Sequence, residues 1–289
     1  MGVVYSGAEL EQGFVPNTDD HLRAARSALD LVSGLEDTQL TVVHGSVPEG
    51  RFNVRSDLDL LVTYRTVTPT NEPVVVREIN SILDQISHDT HVKIEANIWP
   101  VEESVAARRE RMYDLLFSRH LASSMLEPEW VIGEVDPTIT EIARASYDTD
   151  ILRRVILNYT TYKHAGFTKS PSTFSETDRV LSAFQRALEL PKSLERKMGQ
   201  FLGAPTHGIR ETLVGLGMNN ETLDAIETLR CLDCEYTGLL LPFQQNAGLP
   251  DKDEVTKYRD RLTAAYPLAI DNGLVASSGF SNFISTYQS

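Results

Sequence analysis

The sequence predicts an α/β (α+β) domain with a mixed sheet, followed by an all-α helical domain. Three observations predict it. Short Val- and Ile-rich segments alternate with amphipathic helical stretches up to about residue 135, strand signals stop there, and 289 residues suffice for two domains of ordinary size, each with its own core. The domains are read as 1–135 and 136–289, with the boundary in the stretch 135–147.

Thr18, Asp19 and Asp20 supply N-cap chemistry for a first helix whose apolar residues Leu22, Ala25, Leu29 and Leu31 recur before Gly34. QLTVVHG (39–45) and DLDLLVTY (57–64) are two apolar strands separated by a glycine-punctuated turn. PVVVREINSILDQISH (73–88) carries Val75, Ile79, Ile82, Leu83 and Ile86 on one helical stripe. VKIEANIW (92–99) alternates: Val92, Ile94, Ala96 and Ile98 face one side, Lys93, Glu95, Asn97 and Trp99 the other. A helix over 101–125 and a short edge strand at EWVIG (129–133) complete the first domain. Beyond it the stretches DPTITEIARASYDTDILRRVILNYTTYKHAGF, SETDRVLSAFQRALEL, PKSLERKMGQFLG, RETLVGLG, ETLDAIETLRCLDCEYTGLLL and DEVTKYRDRLTAAY each read as helical between Gly, Pro or Ser breakers.

Hydrophobic residues make up 41% and charged residues 24% of the chain, the balance of a globular rather than a disordered protein. No apolar run approaches the ~20 residues that span a bilayer, and the N-terminus has no basic segment followed by a long apolar one, so the expected location is cytoplasmic. Cys231 and Cys234 form a C-x-x-C pair, but zinc usually needs four ligands and no second pair exists. They are expected as reduced thiols packed on a helix. The net charge of −14 is unevenly spread: residues 1–145 hold 12 basic and 24 acidic residues, residues 146–289 hold 15 and 17. So acidic a protein is a poor general binder of nucleic acid. A strip over 153–197 with nine basic and four acidic residues is the exception, suited to a triphosphate or an RNA end.

The chemistry is expected in GSVPEGRFNVRSDLDLLV (45–62). Alternation along a strand points Asp57 and Asp59 the same way, while Leu58, Leu60 and Val62 enter the opposite layer. Two carboxylates sharing a site repel unless a cation sits between them, and a hard divalent ion is the economical solution. Gly45 lets backbone approach a ligand, and Ser46 offers a hydroxyl and an N–H to phosphate oxygens in a turn expected to feed a short helix. Arg51 and Arg55 lie in the same loop and are candidates for triphosphate contact. Glu95, on the open face of the next long strand, supplies a third carboxylate as metal ligand, general base or both.

Gly45-Ser46, ten residues, Asp57-x-Asp59, and a carboxylate on a later strand resemble the DNA polymerase β-like nucleotidyltransferase superfamily. With Gly50 in the turn and Ser56 directly before the first aspartate, the pattern is most similar to the minimal and aminoglycoside nucleotidyltransferases, over roughly 18–100. The resemblance implies a nucleotidyltransferase domain with a mixed sheet backed by helices, two Mg²⁺ ions, ATP as donor, transfer of AMP and release of pyrophosphate. It implies that Ser46 holds the β- and γ-phosphates, that Asp57 and Asp59 ligate metal, and that Glu95 is third ligand or base. Pro48 and Glu95 depart from the common pattern, since many members have a helix former and an aspartate at these places.

Lys93, Asn97, His44 and Trp99 flank the site, and Tyr159, Tyr162, Lys163 and Lys169 mix aromatics with cations in the second domain. The plain reading is preferred for each: solvation for Lys93 and Asn97, a satisfied buried histidine for His44, packing at the strand end for Trp99 and core packing for the helical aromatics. The expected function is transfer of a nucleotide to a hydroxyl of a small molecule such as an aminoglycoside-like antibiotic, cationic and therefore drawn to an acidic protein, in a cleft between the domains of a monomer or homodimer. One alternative keeps the chemistry with a tRNA end or a protein side chain as acceptor. The other is a non-catalytic nucleotide-binding regulator.

Overall fold

The computed structural model describes residues 3–13, 15–65, 72–101, 127–135, 149–202, 209–244 and 251–287. The chain divides into one unit spanning Val15–Ala145 and a second made of Gly2–Phe14 with Ser146–Ser289.

In the first unit, α2 (Thr18–Ser33) follows the short helix α1 (Gly7–Glu11), which belongs to the other unit. Asn17 is the N-cap of α2: its side chain accepts from the Asp20 N–H, and Asp20 returns a bond to the Asn17 N–H. The acidic residues expected to cap the helix are therefore its first turn. Ala24, Ala25, Ala28, Leu29 and Val32 are buried, whereas Leu31 is 54% exposed, one position off the inward stripe. Among the described residues β1 (Thr38–His44), β2 (Leu58–Tyr64), β3 (Ile94–Pro100) and β4 (Val131–Gly133) form a sheet in the order β3-β2-β1-β4. β1 is antiparallel to β2 and β4, and β2 is parallel to β3 across the helix α3 (Glu72–Thr90). The mixed sheet and the edge position of β4 match the sequence reading.

One face of this sheet carries Val43, Leu58, Leu60, Val62 and Tyr64 against the inward residues of α2 and against Val75, Ile79, Leu83 and Ile86 of α3. Burying each such side chain stabilises the fold by about 1.5–3 kcal/mol. Ile94, Ala96 and Ile98 pack on the same core. The alternation read along β3 therefore holds, and Glu95, Asn97 and Trp99 face the other way. The helix expected at 101–125 lies outside the described residues.

The second unit is helical: α4 (Thr149–Thr168), α5 (Asp178–Leu202), α6 (Ile209–Gly215), α7 (Asn220–Leu240) and α8 (Lys252–Thr286). Two expected breaks are absent. α5 runs through Pro191 and α8 through Pro267. An interior proline costs roughly 3 kcal/mol. Fully buried Leu190, Leu194 and Met198 beside the first, and Tyr266, Ala269, Ala276 and Phe280 around the second, outweigh it.

The N-terminal segment, expected with the first domain, is docked on these helices instead. The Tyr5 N–H donates to the Tyr236 hydroxyl at 2.9 Å, the Tyr258 hydroxyl donates to the Tyr5 carbonyl at 2.5 Å, and the two hydroxyls lie 2.7 Å apart. Arg259 joins Glu176 at 2.9 Å and Glu11 at 3.3 Å, and the Gly7 N–H donates to Glu176. Cys231 and Cys234 are free thiols, as expected, but both are exposed, because α7 turns Leu229, Leu232 and Tyr236 inward. No described helix is long and apolar enough to cross a membrane.

Candidate metal centre

The side chains of directly paired residues lie on the same face of a sheet. His44 of β1 pairs with Asp59 of β2, and Asp59 pairs with Glu95 of β3. The register thus lays His44, Asp59 and Glu95 in a row across three strands, on the face opposite the α2–α3 core. Asp57 precedes β2 by one residue, two positions before Asp59. Ligand oxygens of Asp57, Asp59 and Glu95 all lie within 4.8 Å of one another. The three carboxylates named from sequence are brought together.

Their electrostatics fit a cation. Burial, then the charge of Asp59, and to a smaller degree that of Glu95, push the Asp57 carboxyl from its ordinary range up to about 7. Lys93 supplies one positive charge, its Nζ 3.4 Å from Glu95 Oε1, with both side chains partly exposed. Lys93 is therefore the counter-charge of Glu95, a role the sequence left open.

The turn after β1 is cut to fit the carboxylates. Gly45 has φ +83°, and an added Cβ would overlap Asp59 Oδ2 and lie 3.2 Å from Asp59 Cγ. Residues 45–50 are a turn rather than the start of the expected helix. It is closed by the Gly50 N–H on the Val47 carbonyl and the Arg51 N–H on the Ser46 carbonyl, both at 3.0 Å. Gly50, at φ +63°, stops helical continuation after Pro48. Ser46 is partly exposed at the start of this turn. Arg51 points outward, 3.9 Å from Glu49 and 63% exposed, while Arg55 is buried at 4% exposure. The two loop arginines, equivalent in the sequence, have opposite surroundings.

The loop entering β2 is held on three sides. The Asn53 N–H donates to Ser56 Oγ at 3.0 Å, the Ser56 N–H to the Asn53 carbonyl at 2.9 Å, and the Arg55 N–H to Asn53 Oδ1 at 2.9 Å. The Leu58 N–H donates to the Lys93 carbonyl at 2.9 Å, docking the loop on the approach to β3. From α2, the fully buried His21 ring places Nδ1 2.7 Å from the Asn17 carbonyl and Nε2 2.8 Å from the Ser56 carbonyl. Sequence reasoning gave His21 no role; the signal available was a histidine in the first turn of a helix, which does not say what the ring touches.

His44 is buried, and burial lowers its imidazole to about 4, so it is neutral near pH 7. Its Nε2 has no hydrogen-bond partner. Trp99 is buried on the same face as Glu95 and Asn97. In the helical unit, Lys163 Nζ and Lys197 Nζ lie 5.2 and 5.0 Å from the Tyr159 ring centre, Arg186 lies 5.5 Å from that of Tyr162, and the Lys169 carbonyl accepts from Arg179. These are cation–π and helix-end contacts within that unit. No protein-family model, curated protein or solved structure matches the chain.

Proposed function

We propose that this protein is a divalent-metal-dependent nucleotidyltransferase that moves a nucleoside monophosphate, AMP from ATP, to a hydroxyl of a small acceptor such as an aminoglycoside-like molecule. The observation that carries the proposal is the convergence of Asp57, Asp59 and Glu95 from β2 and β3 on one spot, beside a turn from which a Cβ is excluded. An isolated pair of acidic residues on a sheet edge would be solvated. Here Asp57 is 3% exposed and sits at the head of an interior strand, an arrangement that is costly without a cation.

Asp57 and Asp59 would hold Mg²⁺, with Glu95 as a third ligand or as base. When bound, such ions supply charge neutralisation to the triphosphate oxygens and to the transferring phosphoryl group. In the transfer, Glu95 takes the proton of the acceptor hydroxyl. The hydroxyl oxygen then forms its bond to the α-phosphorus as the bond from that phosphorus to the bridging oxygen breaks, and pyrophosphate leaves with the electron pair. Lys93, with Nζ 3.4 Å from Glu95 Oε1, holds the Glu95 side chain in place beside the aspartates. Gly45 leaves room for Asp59, and the Ser46 hydroxyl is the candidate for the β- and γ-phosphates. The net charge of −14 favours a cationic acceptor.

Incubation with α-labelled nucleoside triphosphates, Mg²⁺ and either aminoglycosides or total tRNA tests the proposal. Label on the small cation, dependent on Mg²⁺ and on Asp59, is expected. Label on tRNA alone would replace the acceptor class. No label on any acceptor, with no metal-dependent nucleotide binding, refutes the proposal.

A further inference from the structure

We propose that His21 is a positioning residue of the carboxylate centre: a buried ring whose two nitrogens tie the start of α2 to the carbonyl that immediately precedes Asp57. The inference concerns a residue outside the centre, and its metal-binding consequence rests on the reading of that centre as a divalent-cation site.

A backbone carbonyl only accepts, so a ring nitrogen that bonds one must carry a hydrogen. His21 meets two carbonyls, that of Asn17 at 2.7 Å and that of Ser56 at 2.8 Å, and is fully buried between them. Nε2 is the nitrogen that must carry a hydrogen for the ring to bond the Ser56 carbonyl. The Asn17 carbonyl also accepts from the His21 N–H at 3.3 Å, and the Asn17 side chain caps α2, so the first bond fixes the ring to a rigid helix end. Phe52 packs against the ring, with centroids 5.5 Å apart and an interplanar angle of 42°.

The second bond acts on the centre. The Ser56 carbonyl belongs to the peptide group that carries the Asp57 nitrogen, so turning that peptide turns the Asp57 carboxylate. The Asn53–Ser56 bonds shape the loop internally, and Leu58 docks it on the Lys93 carbonyl. Among these contacts the His21 bond is the one that references the loop to α2. A residue that orients a ligand in this way is worth ~10–100-fold in metal affinity.

Two measurements on the 289-residue protein test the proposal. First, ¹⁵N NMR of histidine-labelled protein near neutral pH, without metal, reads the ring directly. A hydrogen on His21 Nε2 is expected, and a ring that carries none there overturns the proposal. Second, Mn²⁺ affinity is compared between wild type and His21→Phe, which keeps an aromatic ring beside Phe52 and removes both ring nitrogens. Affinity ~10-fold or more weaker is expected, and wild-type affinity in a folded variant overturns the positioning role. If His21→Phe does not fold, His21→Gln, which retains one donor, is expected to lose less affinity, and no loss there overturns the role equally. Wild-type protein that binds no Mn²⁺ refutes the metal reading, and with it the role of His21. That failure is recognisable because the Nε2 hydrogen is read without metal.

Discussion

Asp57→Asn should make the metal-free protein more stable at pH 8 while abolishing its response to divalent cations. The side chain is 3% exposed, and burial together with the charges of Asp59 and Glu95 raises its carboxyl from 3.8 to about 7. A group whose folded value lies above its unfolded value binds protons more tightly when folded. Its contribution to stability is therefore fully present below about pH 4 and is lost as pH rises through about 7. A difference of about 3 units at ~1.4 kcal/mol each puts the loss on the order of 4 kcal/mol in the absence of metal. Asparagine is nearly isosteric and carries no charge, so the variant avoids the loss. Thermal or urea unfolding with a chelator present, for wild type and variant at pH 5 and pH 8, isolates this group, because the other carboxylates cancel in the comparison. At 2–4 °C per kcal/mol, the variant should melt roughly 8–16 °C above wild type at pH 8 and only about 3–7 °C above it at pH 5, where about 1.7 kcal/mol of the loss has accrued. Added Mn²⁺ should raise wild type and leave the variant unmoved. A variant that melts at or below wild type at both pH values would refute the claim that Asp57 is a buried carboxylate held in repulsion.

Gly45→Ala should lower stability by about 1–2 kcal/mol through its positive φ, and weaken Mn²⁺ binding by displacing the Asp59 carboxylate; melting and metal titration read the two effects separately. Asp59→Ala should reduce nucleotidyl transfer by ~10²-fold or more, whereas the outward-pointing Arg51→Ala should stay within about twofold, as steady-state assays would report. Tyr258→Phe removes the hydroxyl that donates to the Tyr5 carbonyl and meets the Tyr236 hydroxyl, at a cost of about 1–3 kcal/mol, and should expose residues 3–13 to limited proteolysis before the rest of the helical unit.

Much of the candidate centre was legible because alternation along a strand is local. Asp57 and Asp59 share a face by spacing alone, and so do Lys93, Glu95 and Asn97. The helices of the second unit were legible by the same kind of periodicity, with Pro191 and Pro267 misread as breaks because a proline's cost is local and the burial that offsets it is not. The helix α1 was missed although its signal is present: Ser6 and Glu9 form a capping box, with a Ser6 N–H to Glu9 Oε2 bond of 2.6 Å. The opposite surroundings of Arg51 and Arg55, and the roles of Lys93 and His21, have no counterpart in the spacing of residues.

By itself, then, the sequence determined which residues share a face along each strand and along most of the longer helices, and hence that three carboxylates were available for one site. Only the tertiary structure decided that β2 and β3 pair in the parallel register that sets Asp59 beside Glu95, that α2 reaches the loop before Asp57 through His21, and that the N-terminal segment docks on the helical unit. Facing is set by a backbone repeat of two or 3.6 residues. Register and docking are set by contacts between residues far apart in the chain, as between Tyr5 and Tyr258, where each side chain's cost or gain depends on a partner that its own neighbourhood does not specify.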